Sequence, residues 1–247
     1  MTQQDRQFVE AFARGLQIFE ALSKHKNAMT NGDLAKATNL PPSTISRLTY
    51  TAMRLGYLRH SETGRAYELT PKSLNLGYSV LTGIALIDRA APVLRAVAEK
   101  TSQTVALCVR DGLYVTFVQV VAGSDLLAVR FSVGGRLPIA TSAAGPALLA
   151  IMPEKQRRQL TSRIRSQLTQ QNGNVAAFNA ALEAALRNQV SVSRDTWRRG
   201  IGGVAIGIAT PHEQAAITIP FSTGSISEAH MRSVLTPVLR EAVAELM

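Results

Sequence analysis

Phe8, Phe12, Leu16 and Phe19 recur at steps of three and four, while Arg6, Glu10, Arg14 and Lys24 fall elsewhere on the turn. That period puts the apolar residues on one helix face and predicts an amphipathic helix over residues 5–25. Thr30-Asn31-Gly32-Asp33 has the form of a capping box with Asp in place of Glu, so a short second helix is expected from about Asn31. Asn39-Leu40-Pro41-Pro42 stops it, because proline disfavours a helical residue before it. Pro42 suits the first turn of a third helix, expected to run to Leu55 with Ile45, Leu48 and Met53 on its inner side. Residues 57–60 and 66–69 then flank the polar turn Ser61-Glu62-Thr63-Gly64-Arg65, which predicts a hairpin.

From residue 71 to 98 the pattern is helical again, with Leu74, Leu76, Leu81, Ile84 and Ile87 as apolar positions and Pro92 as an expected interruption. It reads as a connector into a second domain. There, residues 104–110 and 113–121 are strand-like around the hairpin signal Asp111-Gly112. Further strands are expected at 126–133, 190–194, 204–209 and 215–220. Helices are expected at 141–152, 154–170, 176–189 and 227–246. This order predicts an α+β chain whose second domain is an antiparallel sheet with helices on its faces. The expected divisions are residues 1–72, a linker helix over 73–90, and residues 91–247.

Composition narrows the classes. Of 247 residues, 46% are hydrophobic and 18% charged, which excludes disorder as the main state. The single Cys108 excludes a disulfide framework and fits a reducing cytoplasm. The longest uncharged stretch, residues 137–152, is broken by Pro138, Gly145 and Pro146, so no membrane span is expected. The polar start offers no secretory signal. A net charge of +10 and a pI near 10.3 point to a polyanionic partner, with nucleic acid the common one. The basic excess is spread along the chain and does not by itself locate the contact.

The short helix, tight turn, third helix and hairpin form a winged helix-turn-helix. The major groove of B-DNA admits an α-helix, and the first turns of the third helix meet base edges. Those turns present Ser43, Thr44, Ser46 and Arg47, with Thr30 and Tyr50 beside them. Arg47 can pair bidentately with guanine. The wing offers His60, Thr63 and Arg65 to phosphates or the minor groove.

At this point the chain resembles the IclR family of bacterial transcription regulators. The resemblance rests on Arg14-Gly15-Leu16, Asp33-Leu34-Ala35, Leu40-Pro41, Ser43-Thr44, Arg47-Leu48 and Leu55-Gly56-Tyr57. It continues through Gly134-Gly135-Arg136-Leu137-Pro138, Thr141 with Gly145, Leu148-Leu149-Ala150, Gly200 and Val204-Ala205, and so spans nearly the whole chain. It implies a winged helix-turn-helix, a dimerising linker helix and a C-terminal GAF-like α/β effector domain. It also implies a homodimer or tetramer on operator DNA; no cofactor is expected.

The positions matching the family's effector pocket are Leu126, Val129, Leu137, Ala143, Ala144, Ser193, Gly203, Thr218 and Pro220. Phe131 can add apolar surface, and Ser142 can offer a backbone N–H. Relatives that bind small oxo-acids carry an acidic residue at the position of Ser193, cysteine at Gly203, and serines at Thr218 and Pro220. The resemblance therefore implies a less polar, roomier pocket and an aromatic or aliphatic carboxylate as effector. A helix beginning at Thr141-Ser142 would supply free N–H groups to that carboxylate; a plain N-cap is the competing reading of Thr141.

Other motifs fail on context. Gly200-Ile201-Gly202-Gly203-Val204-Ala205 fits a dinucleotide fingerprint in letters, but strand-like alternation follows it where a helix is needed. The four histidines are scattered, and no metal site is expected. No nucleophile–base pair stands out, which argues against an enzyme carrying an accessory DNA-binding domain. Trp197 reads as a packing residue before a pocket-rim residue. Lys155, Arg157, Arg158, Arg163 and Arg165 read first as a solvated helix face and second as a contact to DNA or a partner.

Overall fold

The computed structural model describes residues 7–25, 27–62 and 64–247, in two compact units that divide between Gly83 and Ile84. In the first, α1 (Glu10–Lys24) turns Ile18, Ala21 and Leu22 inward. The expected apolar stripe is only partly used: Phe19 packs on the core, whereas Phe8, Phe12 and Leu16 are exposed. The three-to-four period identified the helix but not which of its apolar residues have a partner. Residues 5 and 6 of the expected helix lie outside the described residues.

Thr30 caps α2 (Asn31–Thr38) through a complete box: its Oγ1 accepts from the Asp33 N–H, and its own N–H donates to Asp33 Oδ2 at 3.0 Å. Asn39 leaves α2 in the left-handed region at φ 55°, and Pro42 opens α3 (Pro42–Arg54). On α3, Ile45, Thr49 and Ala52 are buried, while Leu48 and Met53 are half-buried. The Thr49 hydroxyl reaches that depth because it donates to the Ile45 carbonyl at 2.9 Å. The wing strands β2 (Leu58–His60) and β3 (Ala66–Leu69) pair antiparallel. A two-residue strand, β1 (Met29–Thr30), pairs with the other edge of β3; two residues are too few to show a period.

The connector is two helices, not one. A 3-10 turn at Pro71–Leu74 leads into α4 (Asn75–Thr82), and α5 (Leu86–Thr101) follows. The break falls at residues 83–85, and Pro92 lies inside α5. The proline removes one helical hydrogen bond. Burial of Leu86, Ala90, Val93, Leu94, Val97 and Ala98 holds the helix through it.

The second unit is built on six antiparallel strands: β4 (Val105–Asp111), β5 (Tyr114–Val121), β6 (Arg136–Pro138), β7 (Ser191–Arg194), β8 (Ile201–Ala209) and β9 (Gln214–Ser222). Their order across the sheet is β6-β5-β4-β9-β8-β7. α6 (Ala144–Ala150) lies on the sheet surface that carries Gly203 and Gly207. The approach is close enough to exclude side chains. A Cβ on Gly207 would stand 2.6 Å from the Ala147 carbonyl oxygen, and one on Gly145 2.0 Å from that of Ile139. Next to α6 pack α7 (Glu154–Gln170) and α8 (Val175–Asn188), and α9 (Glu228–His230) and α10 (Thr236–Leu246) close the chain. A π turn at Met231–Leu235 interrupts what the sequence pattern presents as one helix.

Two expectations are corrected here. Residues 126–133 form no strand; they lie in an irregular segment from 122 to 135. β6 and the Gly134–Gly135 turn pair with β5 only as far as Phe117, and the chain before them leaves the sheet: Leu126 and Leu127 point to solvent and only Ala128 of this stretch is buried. The helix expected from Thr141 begins at Ala144, after a 3-10 turn over Ile139–Thr141. Ser142 does the capping work, its Oγ accepting from the Gly145 N–H at 3.1 Å.

Candidate functional site

Two surfaces carry the candidate chemistry. On the first unit, α3 exposes Ser43, Ser46, Arg47 and Tyr50, with Thr44 half-buried. Among the described residues the Arg47 side chain makes no hydrogen bond or ion pair, its carbonyl alone accepting from the Thr51 hydroxyl at 3.0 Å, so its guanidinium is available to a ligand. Beside it runs an open groove of about 690 Å³ between α1 and α3, lined in part by Arg14, Thr44, Arg47, Tyr50 and Thr51. Ser46 is less free. Its hydroxyl accepts from Asn31 Nδ2 at 2.7 Å and donates to the Pro42 carbonyl at 3.0 Å. It ties the start of α3 to the start of α2 and holds the Asn31 amide beside the exposed face. Asn31 was not singled out in the sequence because nothing local shows a contact fifteen residues away. Thr30 is engaged with Asp33, and its hydrogen bonds, hydroxyl first, hold the Asp33 carboxyl below its ordinary value.

In the wing, Arg59 and Glu68 form a cross-strand ion pair at 2.6 Å, and the rings of His60 and Tyr67 lie 5.1 Å apart. His60 and Arg65 are exposed; Thr63 lies outside the described residues. Lys72 Nζ donates to the Leu55 carbonyl at 2.8 Å and covers the Tyr57 ring, fastening the return from the wing to the end of α3.

On the second unit, a cleft between β5, α6, the β7–β8 turn and β9 brings together Phe131, Leu137, Ser142, Ala143, Ala144, Ser193, Gly203, Thr218 and Pro220. It adds Phe117, Thr141, Trp197, Ile201 and Gly202. Leu126 is not among them, being 93% exposed, and Val129 does not line the cleft either. Phe117 escaped notice because its strand position reads as ordinary core. Trp197 does both things weighed for it: it packs against the core cluster and it borders the cleft.

The expectation of a roomy pocket is corrected. Only about 30 Å³ is free, space for a water or two, against roughly 300–1,000 Å³ in typical ligand sites. Aromatic rings take up the room: Phe131 stacks on Phe117 with centroids 4.6 Å apart and planes 16° apart, and Trp197 lies 6.0 Å from Phe131. No charged side chain lines the cleft. Its polar groups are hydroxyls. Thr218 donates to the Val204 carbonyl, whereas Thr141 Oγ1 is buried with no partner. Cys108 is buried and takes no part; burial pushes its thiol well up and makes it inert.

A family model for the IclR helix-turn-helix domain matches residues 11–62, and one for the bacterial transcriptional regulator IclR C-terminal region matches residues 78–246. The chain belongs to the IclR family of bacterial transcriptional regulators. It is 30% identical to the HTH-type transcriptional regulator TsaQ1/TsaQ2 of Comamonas testosteroni, over 96% of this chain and 87% of that one. It is 30% identical, with a TM-score of 0.70, to the crystal structure of an IclR family transcriptional regulator from Brucella abortus, covering 99% and 93% of the two chains. An IclR homolog from Microbacterium hydrocarbonoxydans, solved in complex with 4-hydroxybenzoate, superposes with a TM-score of 0.73 at 20% identity, covering 96% and 97%.

This IclR-family chain is therefore a DNA-binding transcriptional regulator, and its family is not enzymatic. The family implies operator DNA and a small-molecule effector as partners. The glycine motif at 200–205 leads into β8, not into a helix, so the dinucleotide fingerprint is a coincidence of letters. Among the described residues no helix is long and apolar enough to cross a membrane, and no group of three or more His, Cys, Asp or Glu could hold a metal ion.

Proposed function

We propose that this regulator reads operator DNA with the exposed face of α3, steadied by the wing, and that its second unit senses a small aromatic carboxylate. The observation that carries the DNA reading is the Arg47 guanidinium, exposed and without a partner among the described residues, on a helix whose opposite side is anchored by Ile45, Thr49 and Ala52. Ser43 and Thr44 give close approach on the same turns, and Arg65 and His60 face the backbone from the wing. The protein acts in the cytoplasm as a homodimer or tetramer, its DNA-binding and effector units joined through the helical connector that breaks at residues 83–85. Support for assembly comes from Leu74, Leu76, Tyr78 and Val80, all at least 59% exposed around one short helix.

For the effector, the aromatic lining of Phe117, Phe131 and Trp197 favours a ring, and the unpartnered Thr141 hydroxyl favours a substituent that can hydrogen-bond. Arg198 and Arg199, on the turn that carries Trp197, supply positive charge at the rim for a carboxylate. The homolog solved with 4-hydroxybenzoate fits that chemistry. Selection from a pool of randomised duplexes with the full chain tests the DNA reading. Two half-sites separated by about 34 Å, or a multiple of it, are expected. Recovery of sequences with no common site overturns it.

A further inference from the structure

Phe131 stands between the other two aromatic rings of the cleft, in contact with both. The segment 122–135 is fastened at both ends. At its start, Asp125 N donates to the Ser102 carbonyl at 3.0 Å, Gln103 Nε2 donates to Asp125 Oδ2 at 3.1 Å, and Ala128 is buried. At its end, Gly134 N donates to the Phe117 carbonyl at 2.8 Å, and Phe117 N donates to that of Gly135 at 3.0 Å. Between these anchors Val129, Arg130 and Phe131 make no backbone hydrogen bond to any described residue. The Phe131 ring is what this span contributes to the cleft, and it lies flat on Phe117 with its other neighbour, Trp197, tilted at 60°.

From this we infer that Phe131 is an internal competitor for the effector, occupying the ring position of the slot until a planar aromatic ligand displaces it. The inference rests on the reading of this cleft as an effector site and goes beyond it in two ways. It commits the ligand to a flat ring that can reproduce the stack on Phe117; a saturated ring of the same size cannot lie at that spacing and keep the contact. It also supplies the signal: expelling Phe131 moves residues 129–133 while both anchors stay in place. The free energy needed to displace the internal ring lowers apparent affinity, because only the fraction of molecules with the slot vacated can bind.

Trp197 is the chain's only tryptophan, so its emission reports on this site alone. Benzoate and cyclohexanecarboxylate are titrated into the full-length wild type, Phe131→Ala and, as a control on the same loop, Leu126→Ala. Phe131→Ala is expected to bind benzoate at least about tenfold more tightly than wild type and to prefer it to the saturated acid; Leu126→Ala should match wild type. Benzoate binding that is equal or weaker in Phe131→Ala makes Phe131 a wall of the site and overturns the proposal, while leaving the effector reading intact. No change of Trp197 emission with either acid in any of the three proteins overturns the effector reading itself. A second measurement needs no variant: benzoate should speed tryptic cleavage after the exposed Arg130 in wild type, followed by mass spectrometry. An unchanged or slower cut there overturns the displacement.

Discussion

In the second unit α5 buries Leu86, Val93, Leu94 and Val97, and α6 buries every residue from Ala144 to Leu149. In the first, Phe8, Phe12 and Leu16 at α1 are 45–68% exposed, and Leu74, Leu76, Tyr78 and Val80 around α4 are 59–73% exposed. All four helices are rich in apolar residues. The difference is whether the same unit offers a surface to receive them. A six-stranded sheet presents a broad face, and glycines at 203 and 207 let α6 settle onto it. The winged helix is a small cluster around Leu34 and Ile45 that takes Ile18, Ala21 and Leu22 of α1 and has no further surface for Phe8, Phe12 and Leu16 or for α4. An apolar pattern therefore marks a helix, and only a partner surface turns that helix into core.

The contrast can be broken most strongly in the second unit. Leu148 is fully buried, so Leu148→Ala should destabilise that unit by about 2–5 kcal/mol, while Phe12→Ala in the first should stay within about 0.5 kcal/mol for the monomer. Urea unfolding followed through Trp197, beside a circular-dichroism trace, checks both; equal losses would erase the distinction between buried and exposed faces.

Next in size is recognition. Arg47→Ala should cost about 1–3 kcal/mol of discrimination between selected and scrambled duplexes without changing either melting transition. Fluorescence anisotropy showing unchanged preference removes Arg47 from the base contacts. Arg65→Ala should weaken all duplexes alike and lower the salt slope by about one, as loss of a phosphate contact does.

The exposed faces themselves come third. A double variant Phe12→Glu and Leu76→Glu should raise the dissociation constant of self-association at least tenfold, about 1.4 kcal/mol. Analytical ultracentrifugation measures this, and an unchanged constant means these residues are not where copies meet.

The smallest effect concerns the α2 cap. Hydrogen bonds from Thr30 lower the Asp33 pKa below 3.8, so the folded state favours the carboxylate. Its contribution is present above the unfolded value and lost as pH falls through the lower, folded value. The stability gap between wild type and Asp33→Asn should thus be constant near neutral pH and shrink below pH 3.8. A gap that persists to lower pH shows that the charge is not what stabilises the cap.

Much of the first unit was legible because its signals are local. The Thr30–Asp33 box, the Asn39–Pro42 stop and the turn between the wing strands each act within four or five residues. The α3 face carrying Ser43, Arg47 and Tyr50 could be read from the same short window. The engagement of Ser46 by Asn31 could not, since it depends on how α2 and α3 cross. In the second unit the strands around Asp111-Gly112 and the helix at Glu154–Gln170 were also local. The false strand at 126–133 shows the limit: its alternation was adequate, but the chain pairs with β5 only through β6 and the Gly134–Gly135 turn, and the residues before them leave the sheet.

The sequence alone determined the winged helix-turn-helix, most of the helices and strands of the second unit and the family, because these follow from local periodicity, capping and turn chemistry and from motifs in a specific order. Tertiary structure alone decided which apolar faces are core and which lie open, and that Phe131 fills the cleft instead of lining an empty one. Burial is a relation between distant segments: Phe117, Phe131 and Trp197 meet from a strand, a loop and a turn, and no window along the chain contains all three.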